Sequence, residues 1–100
     1  MIRHIVMFKL KDFPGESEKI TAAKEVISRL DDLPQKIDVI RKYEAGIDVR
    51  KLSWSYDIVL IMDFDNMIDL ETYTVHPAHQ EFIAFNKDYS INKGCIDYEM

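Results

Sequence analysis

The stretch Ile2-Arg3-His4-Ile5-Val6-Met7-Phe8-Lys9-Leu10-Lys11 decides the fold. In an extended chain Ile2, His4, Val6, Phe8 and Leu10 share one face, and Arg3, Ile5, Met7, Lys9 and Lys11 the other, because successive β side chains point to opposite sides. Both sets hold apolar residues. A strand with one wet face needs only one such set, so both faces of this strand are expected to meet something other than water. The pattern recurs downstream, where Tyr56, Ile58, Leu60, Met62 and Phe64 alternate with Asp57, Val59, Ile61 and Asp63. That third strand is again apolar on both faces through its middle.

The segments between them supply the remaining elements. Asp12-Phe13-Pro14-Gly15 breaks the first strand, and Ile20, Ala23, Ile27 and Leu30 then recur at helical spacing, with Ser17 as the expected cap and Pro34 as the expected limit. Ile37, Val39, Tyr43, Ala45 and Ile47, interrupted by Arg41, predict a second strand running to about Gly46 or Asp48, before a polar loop from Asp48 to Ser55. After the third strand, Asn66 with Asp69 resembles a capping box and opens a short helix through Leu70 and Tyr73. Val75-His76-Pro77 punctuates the chain, with His76 as a cap and Pro77 as the first residue of a helix carrying Ala78, His79, Phe82, Ile83 and Phe85. A last strand from about Gly94 to Met100 sets Ile96 and Tyr98 against Cys95, Asp97 and Glu99.

The order β-α-β-β-α-β, with its second helix broken in two, predicts an α+β, ferredoxin-like domain whose helices cover one face of an antiparallel sheet. The other face is then a large apolar patch, and such patches mark association sites. A homodimer with facing sheets around a shared pocket removes it, by the commonest symmetry for identical chains. One hundred residues bury about two thirds of their unfolded surface, which leaves no apolar residues for a second core. Residues 1–100 are therefore expected to form a single domain.

Composition excludes several functions. Hydrophobic residues at 47% and charged residues at 31% are ordinary globular values. A net charge of −5 without a Lys/Arg cluster speaks against nucleic acid, whose binding rests on basic side chains. No apolar run approaches the roughly 20 residues of a membrane span, and the amino end lacks a signal-peptide pattern; the expectation is no membrane partner and a cytoplasmic location. The single cysteine, Cys95, has no partner for an internal disulfide and no histidine near it in sequence, so it reads as an ordinary strand residue rather than a nucleophile. There is no glycine-rich phosphate loop, Cys-x-x-Cys pair or Gly-x-Ser-x-Gly elbow, which argues against a nucleotide cofactor.

Chemistry concentrates in Tyr73-Thr74-Val75-His76-Pro77-Ala78-His79, which holds two of the three histidines. A histidine moves protons near neutral pH, and a tyrosine hydroxyl can hydrogen-bond a carbonyl oxygen as charge grows on it. His79 and Tyr73 are the candidate pair, with His4 joining them across the sheet. Each also has a structural reading: His76 as a cap, His79 and Tyr73 as hydrogen-bonded residues beside an apolar helix face, and His4 as a polar group near a strand end. His76 and His79 could in principle share an ion completed by His4, Asp57 or Asp97, but their three-residue spacing is not that of a zinc helix. No metal and no cofactor are expected.

His4-Ile5-Val6-Met7-Phe8-Lys9-Leu10-Lys11, Asp57-Ile58-Val59-Leu60, the Tyr-x-x-His-Pro-x-His stretch and the closing Asp97-Tyr98 resemble the stress-responsive dimeric α/β barrel (Dabb) family over nearly the whole chain. The resemblance implies a ferredoxin-like monomer and a homodimer whose two sheets form a barrel, with the His4, Val6 and Phe8 face turned into it. A polyketide-cyclising member of the family works without a cofactor through a tyrosine and a histidine that match Tyr73 and His79. His4 matches a further pocket histidine there, whereas its strand-three histidine is replaced by Asp57. The leading expectation is a stress-responsive barrel protein that binds a small apolar or carbonyl-containing ligand, as a cofactor-free cyclase, lyase or isomerase. The alternatives are a non-catalytic stress or interaction protein with a packed barrel, and a cofactor-free monooxygenase that shares the fold.

Overall fold

The computed structural model describes residues 1–100, in the order β1 (Ile2–Leu10), α1 (Glu16–Asp31), α2 (Leu33–Lys36), β2 (Lys42–Ile47), β3 (Ile58–Phe64), α3 (Met67–Val75), α4 (Pro77–Asn86) and β4 (Ser90–Glu99). The strands make one sheet in the order β2-β3-β1-β4, with every neighbouring pair antiparallel. This is the ferredoxin-like arrangement. The two strands that are apolar on both faces, β1 and β3, take its centre, and the more polar β2 and β4 take its edges, where unpaired backbone groups meet solvent.

The helices cover the face that carries Val6, Phe8, Ile58, Leu60, Met62 and Phe64, all buried in one core with Val26 and Leu30 of α1 and Phe82 of α4. The expectation that the His4, Val6 and Phe8 face looks into a space between paired sheets is therefore corrected. That face meets the protein's own helices, because it carries the bulk of the apolar volume of β3 while the opposite set is interrupted by Arg3, Lys9 and Asp63. The opposite face presents Ile5, Met7, Val59, Ile61, Ile96 and Tyr98, none of them fully buried. Within it, Arg3 grips Asp63 with two hydrogen bonds, at 2.9 and 3.0 Å. Those bonds hold the Asp63 carboxyl below the usual carboxylate range and let a charge sit buried on an apolar surface.

Several elements differ in detail from expectation. Helix α1 starts after Gly15, which makes no side-chain cap bond, and Ser17 lies inside its first turn. Its buried stripe is Ala22, Ala23, Val26 and Leu30, leaving Ile20 exposed. Helix α1 ends at Asp31, within the limit expected ahead of Pro34, and Pro34 itself occupies the first turn of a second short helix, α2, a position where its missing N–H costs nothing. Ile37 ends α2 and is buried in the core instead of extending β2. β4 begins at Ser90 rather than Gly94. No helix is long and apolar enough to cross a membrane.

Candidate functional site

The break between α3 and α4 sets the geometry. Asn66 caps α3 by accepting a hydrogen bond from the Asp69 N–H, as its spacing predicts. His76 ends α3 and caps α4, its Nδ1 accepting from the Ala78 N–H at 3.0 Å. That bond occupies one ring nitrogen, so His76 is structural in the sense expected for a residue before Pro77. The break puts Tyr73 in the last turn of one helix and His79 in the first turn of the next, with ring centroids 4.3 Å apart.

His4 approaches from the sheet. Its ring lies 5.7 Å from that of Tyr73 and 6.3 Å from that of Phe64, both edge-on. The three expected residues therefore converge, and they line one cleft of about 610 Å³ between the helices and the sheet. Val6, Phe8, Leu60 and Phe82 form its apolar floor; Asn86, Lys87, Asn92 and Lys93 are among the polar groups of its rim. The cleft lies within one chain, on the helix side, and not between sheets.

Each group is held in a definite state. Tyr73 is 1% exposed, and burial pushes its hydroxyl well above the ordinary tyrosine range, so at neutral pH it donates rather than ionises. No side-chain nitrogen or oxygen is both buried and without a partner, and the Tyr73 hydroxyl, which has no protein partner, opens onto the cleft. His79 Nδ1 lies 2.9 Å from the Thr74 carbonyl oxygen. The N–H on Nδ1 donates to that oxygen, which leaves Nε2 as the basic nitrogen. Burial lowers the His79 pKa from 6.5, so the ring is neutral at pH 7 and ready to accept a proton.

A fourth group, named from sequence only as a possible metal ligand, stands beside them. Asp97 on β4 lies directly opposite His4 on β1, with its Oδ1 2.5 Å from His4 Nδ1. A carboxylate here fixes the imidazole tautomer, with the Nδ1–H directed at Oδ1. Cys95 joins the group, its Sγ 3.9 Å from His4 Nδ1, although nothing in the sequence around it contains a histidine. Its thiol is raised by burial and then by Asp97, which is the reverse of an activated nucleophile. Asp57 is not part of the site: Lys19 Nζ lies 3.2 Å from its Oδ1, and its Oδ2 accepts from the Leu10 N–H at 2.8 Å. His76 Nδ1 is taken up as the α4 cap, and the metal-ligating atoms that lie together are those of His4, Cys95 and Asp97 rather than those of His76, His79 and Asp57.

The chain matches the family model described as the Stress Responsive A/B Barrel Domain over residues 2–100. It is 31% identical to the uncharacterized protein SCO4036 of Streptomyces coelicolor, covering 99% of each chain. Among solved structures, it is similar to a dimeric protein of unknown function and ferredoxin-like fold from Bacteroides fragilis, at 33% identity and a TM-score of 0.87, over 99% of this chain and 95% of that one. A hydroxynitrile lyase from Passiflora edulis shares the fold at 16% identity and a TM-score of 0.79, over 97% of this chain and 90% of the other.

The depressed His79 pKa fixes a sign for stability. As pH falls through 6.5, an unfolded chain takes up a proton on this ring before the folded chain does, so stability is flat above that pH and declines below it. Urea midpoints at about pH 7.5 and 5.5 are expected to drop further for the parent protein than for His79→Ala. Parallel losses would show that the folded state does not disfavour the protonated ring.

Proposed function

The chain belongs to the stress responsive A/B barrel domain family, and from that premise we propose that it is a homodimer whose helix-side clefts bind a small carbonyl compound and move a proton on it. The single observation that carries this reading is the convergence of an unpaired Tyr73 hydroxyl and a neutral His79 on one open, largely apolar cleft.

The chemistry follows from the side chains present. A carbonyl oxygen in the cleft accepts a hydrogen bond from Tyr73, whose hydroxyl strengthens that bond as the oxygen gains negative charge. His79 Nε2 takes a proton from the carbon beside the carbonyl, and its Nδ1–H stays anchored on Thr74. The His4–Asp97 pair supplies a second proton-transfer group on the sheet side of the same space. An enolate formed this way goes on to carbon–carbon bond formation, elimination or return of the proton at another position, which places the reaction among cyclases, lyases and isomerases. The lyase with this fold supports the capacity of the scaffold, although at 16% identity it says nothing of the substrate here.

A second reading draws on the same bonds. The Thr74 carbonyl oxygen receives both His79 Nδ1 and the Gln80 side-chain amide at 2.8 Å, as it would if these groups served only to lock the α3–α4 break in a non-catalytic stress-response protein. Substitution separates the two. Tyr73→Phe removes one donor without changing the shape of the ring, and turnover of β-keto and aryl-carbonyl compounds is expected to fall about a hundredfold while the fold persists; His79→Ala is expected to abolish it. If calorimetry and turnover on such a panel are unchanged in both variants, the proton-transfer reading fails and the non-catalytic one stands.

The homodimer rests on the sheet face that no helix covers and on the dimeric relative from Bacteroides fragilis. Ile61→Asp puts a charge in the middle of that face, opposite Ile5. Sedimentation is expected to show a dimer for the parent and a monomer for the variant, since burying an unpaired carboxylate costs several kcal/mol. A variant that stays dimeric places the interface elsewhere.

A further inference from the structure

The register of β1 and β4 gathers three different metal-ligating atoms at the edge of the cleft. His4 lies opposite Asp97, and Val6 opposite Cys95. Cys95 and Asp97, two residues apart on β4, therefore project from the same face as His4. Their ligating atoms all lie within 4.8 Å of one another. Cys95 Sγ is 3.9 Å from His4 Nδ1 and 3.7 Å from Asp97 Oδ2. Metal–ligand bonds of about 2.0–2.3 Å at tetrahedral angles put ligand atoms roughly 3.3–3.8 Å apart, so the 3.7 Å separation already suits a bound ion and the 3.9 Å one lies just above that range. The third, 2.5 Å between His4 Nδ1 and Asp97 Oδ1, is a hydrogen bond that an ion would replace, and Asp97 is exposed.

We propose that each chain carries a site for one divalent cation of the zinc class, held by His4 Nδ1, Cys95 Sγ and the Asp97 carboxylate. One imidazole, one thiolate and one carboxylate form a borderline-soft set that selects zinc or cobalt over magnesium or calcium. Three protein ligands leave a fourth position, open to the cleft that Tyr73 and His79 line, where water or a ligand oxygen binds. Binding releases the Cys95 thiol proton and shifts the His4 proton from Nδ1 to Nε2, which frees Nδ1 to coordinate. The ion and the His4–Asp97 hydrogen bond therefore exclude each other, and filling the site withdraws that pair from proton transfer. The site does not depend on the proton-transfer reading, because its test reads the metal.

Chelator-treated protein is titrated with cobalt(II) chloride and followed by absorbance. The expected result is one cobalt per chain, with a thiolate-to-cobalt charge-transfer band in the near ultraviolet that zinc abolishes and magnesium does not. Cys95→Ser is expected to remove the band, and Asp97→Asn to weaken cobalt binding at least tenfold, in line with the usual effect of disturbing a metal shell. Both side chains are exposed, so both variants are expected to fold, and circular dichroism checks this. In the parent protein, zinc is expected to slow alkylation of Cys95 by iodoacetamide at least tenfold, a readout that needs no variant. Absence of the band, a band that survives in Cys95→Ser, unchanged affinity in Asp97→Asn, or alkylation indifferent to zinc would each overturn the site.

Discussion

Two central strands that are apolar on both faces must be covered twice, and the rest of the structure answers to that constraint. The helices can cover only one side. They take the side carrying Phe8, Leu60, Met62 and Phe64, where the bulk is greatest and burial removes the most apolar area from water. Ile5, Val59, Ile61 and Ile96 are left on the other side with nothing of the same chain against them. The Arg3–Asp63 pair accommodates charge on that surface without breaking its apolar character.

The helix side is not filled completely, and the reason lies in a short break. Pro77 cannot continue α3, and the His76 side chain closes the gap by capping α4. The cleft lies between this break, α4 and the β1–β4 half of the sheet. The break also fixes the electrostatics of the cleft. Tyr73 and His79 are drawn into contact with each other and away from water, so the phenol is kept protonated and the imidazole neutral. A donor and a base of that kind are poised for opposite roles on one ligand. Structure and chemistry here share a cause, since the residues that stop one helix and start the next also orient the reactive groups.

Much of this was legible in the sequence. Period-two alternation in β1 and β3 carried the fold, and the Asn66 and His76 caps were readable from their spacing to Asp69 and Pro77. What alternation cannot show is which of two apolar faces meets the helices; that depends on summed side-chain volume across the sheet, and the resemblance to barrel proteins pointed the other way. The stripe of α1 kept Ala23 and Leu30 as expected but runs through Ala22 and Val26 and leaves Ile20 exposed. Around the cleft, Tyr73, His79 and His4 were the candidates named from sequence, whereas Asp97 was named only as a possible metal ligand and Cys95 only as an ordinary strand residue. Their proximity to His4 exists only through strand register, over a sequence distance of more than ninety residues that no local pattern encodes. Asp57, singled out because a polyketide-cyclising relative was expected to have a histidine there, is held by Lys19 and the Leu10 backbone.

The central claim is that the ligand site is the helix-side cleft of each chain and not the space between sheets. Chemical-shift mapping of isotopically labelled protein with a soluble aryl ketone tests it most directly. The account predicts shifts concentrated at Tyr73, Thr74, His79, Phe82 and Cys95, with Ile5, Ile61 and Ile96 unmoved. Shifts confined to Ile5, Ile61 and Ile96 would contradict it, and would return the pocket to the interface between two sheets.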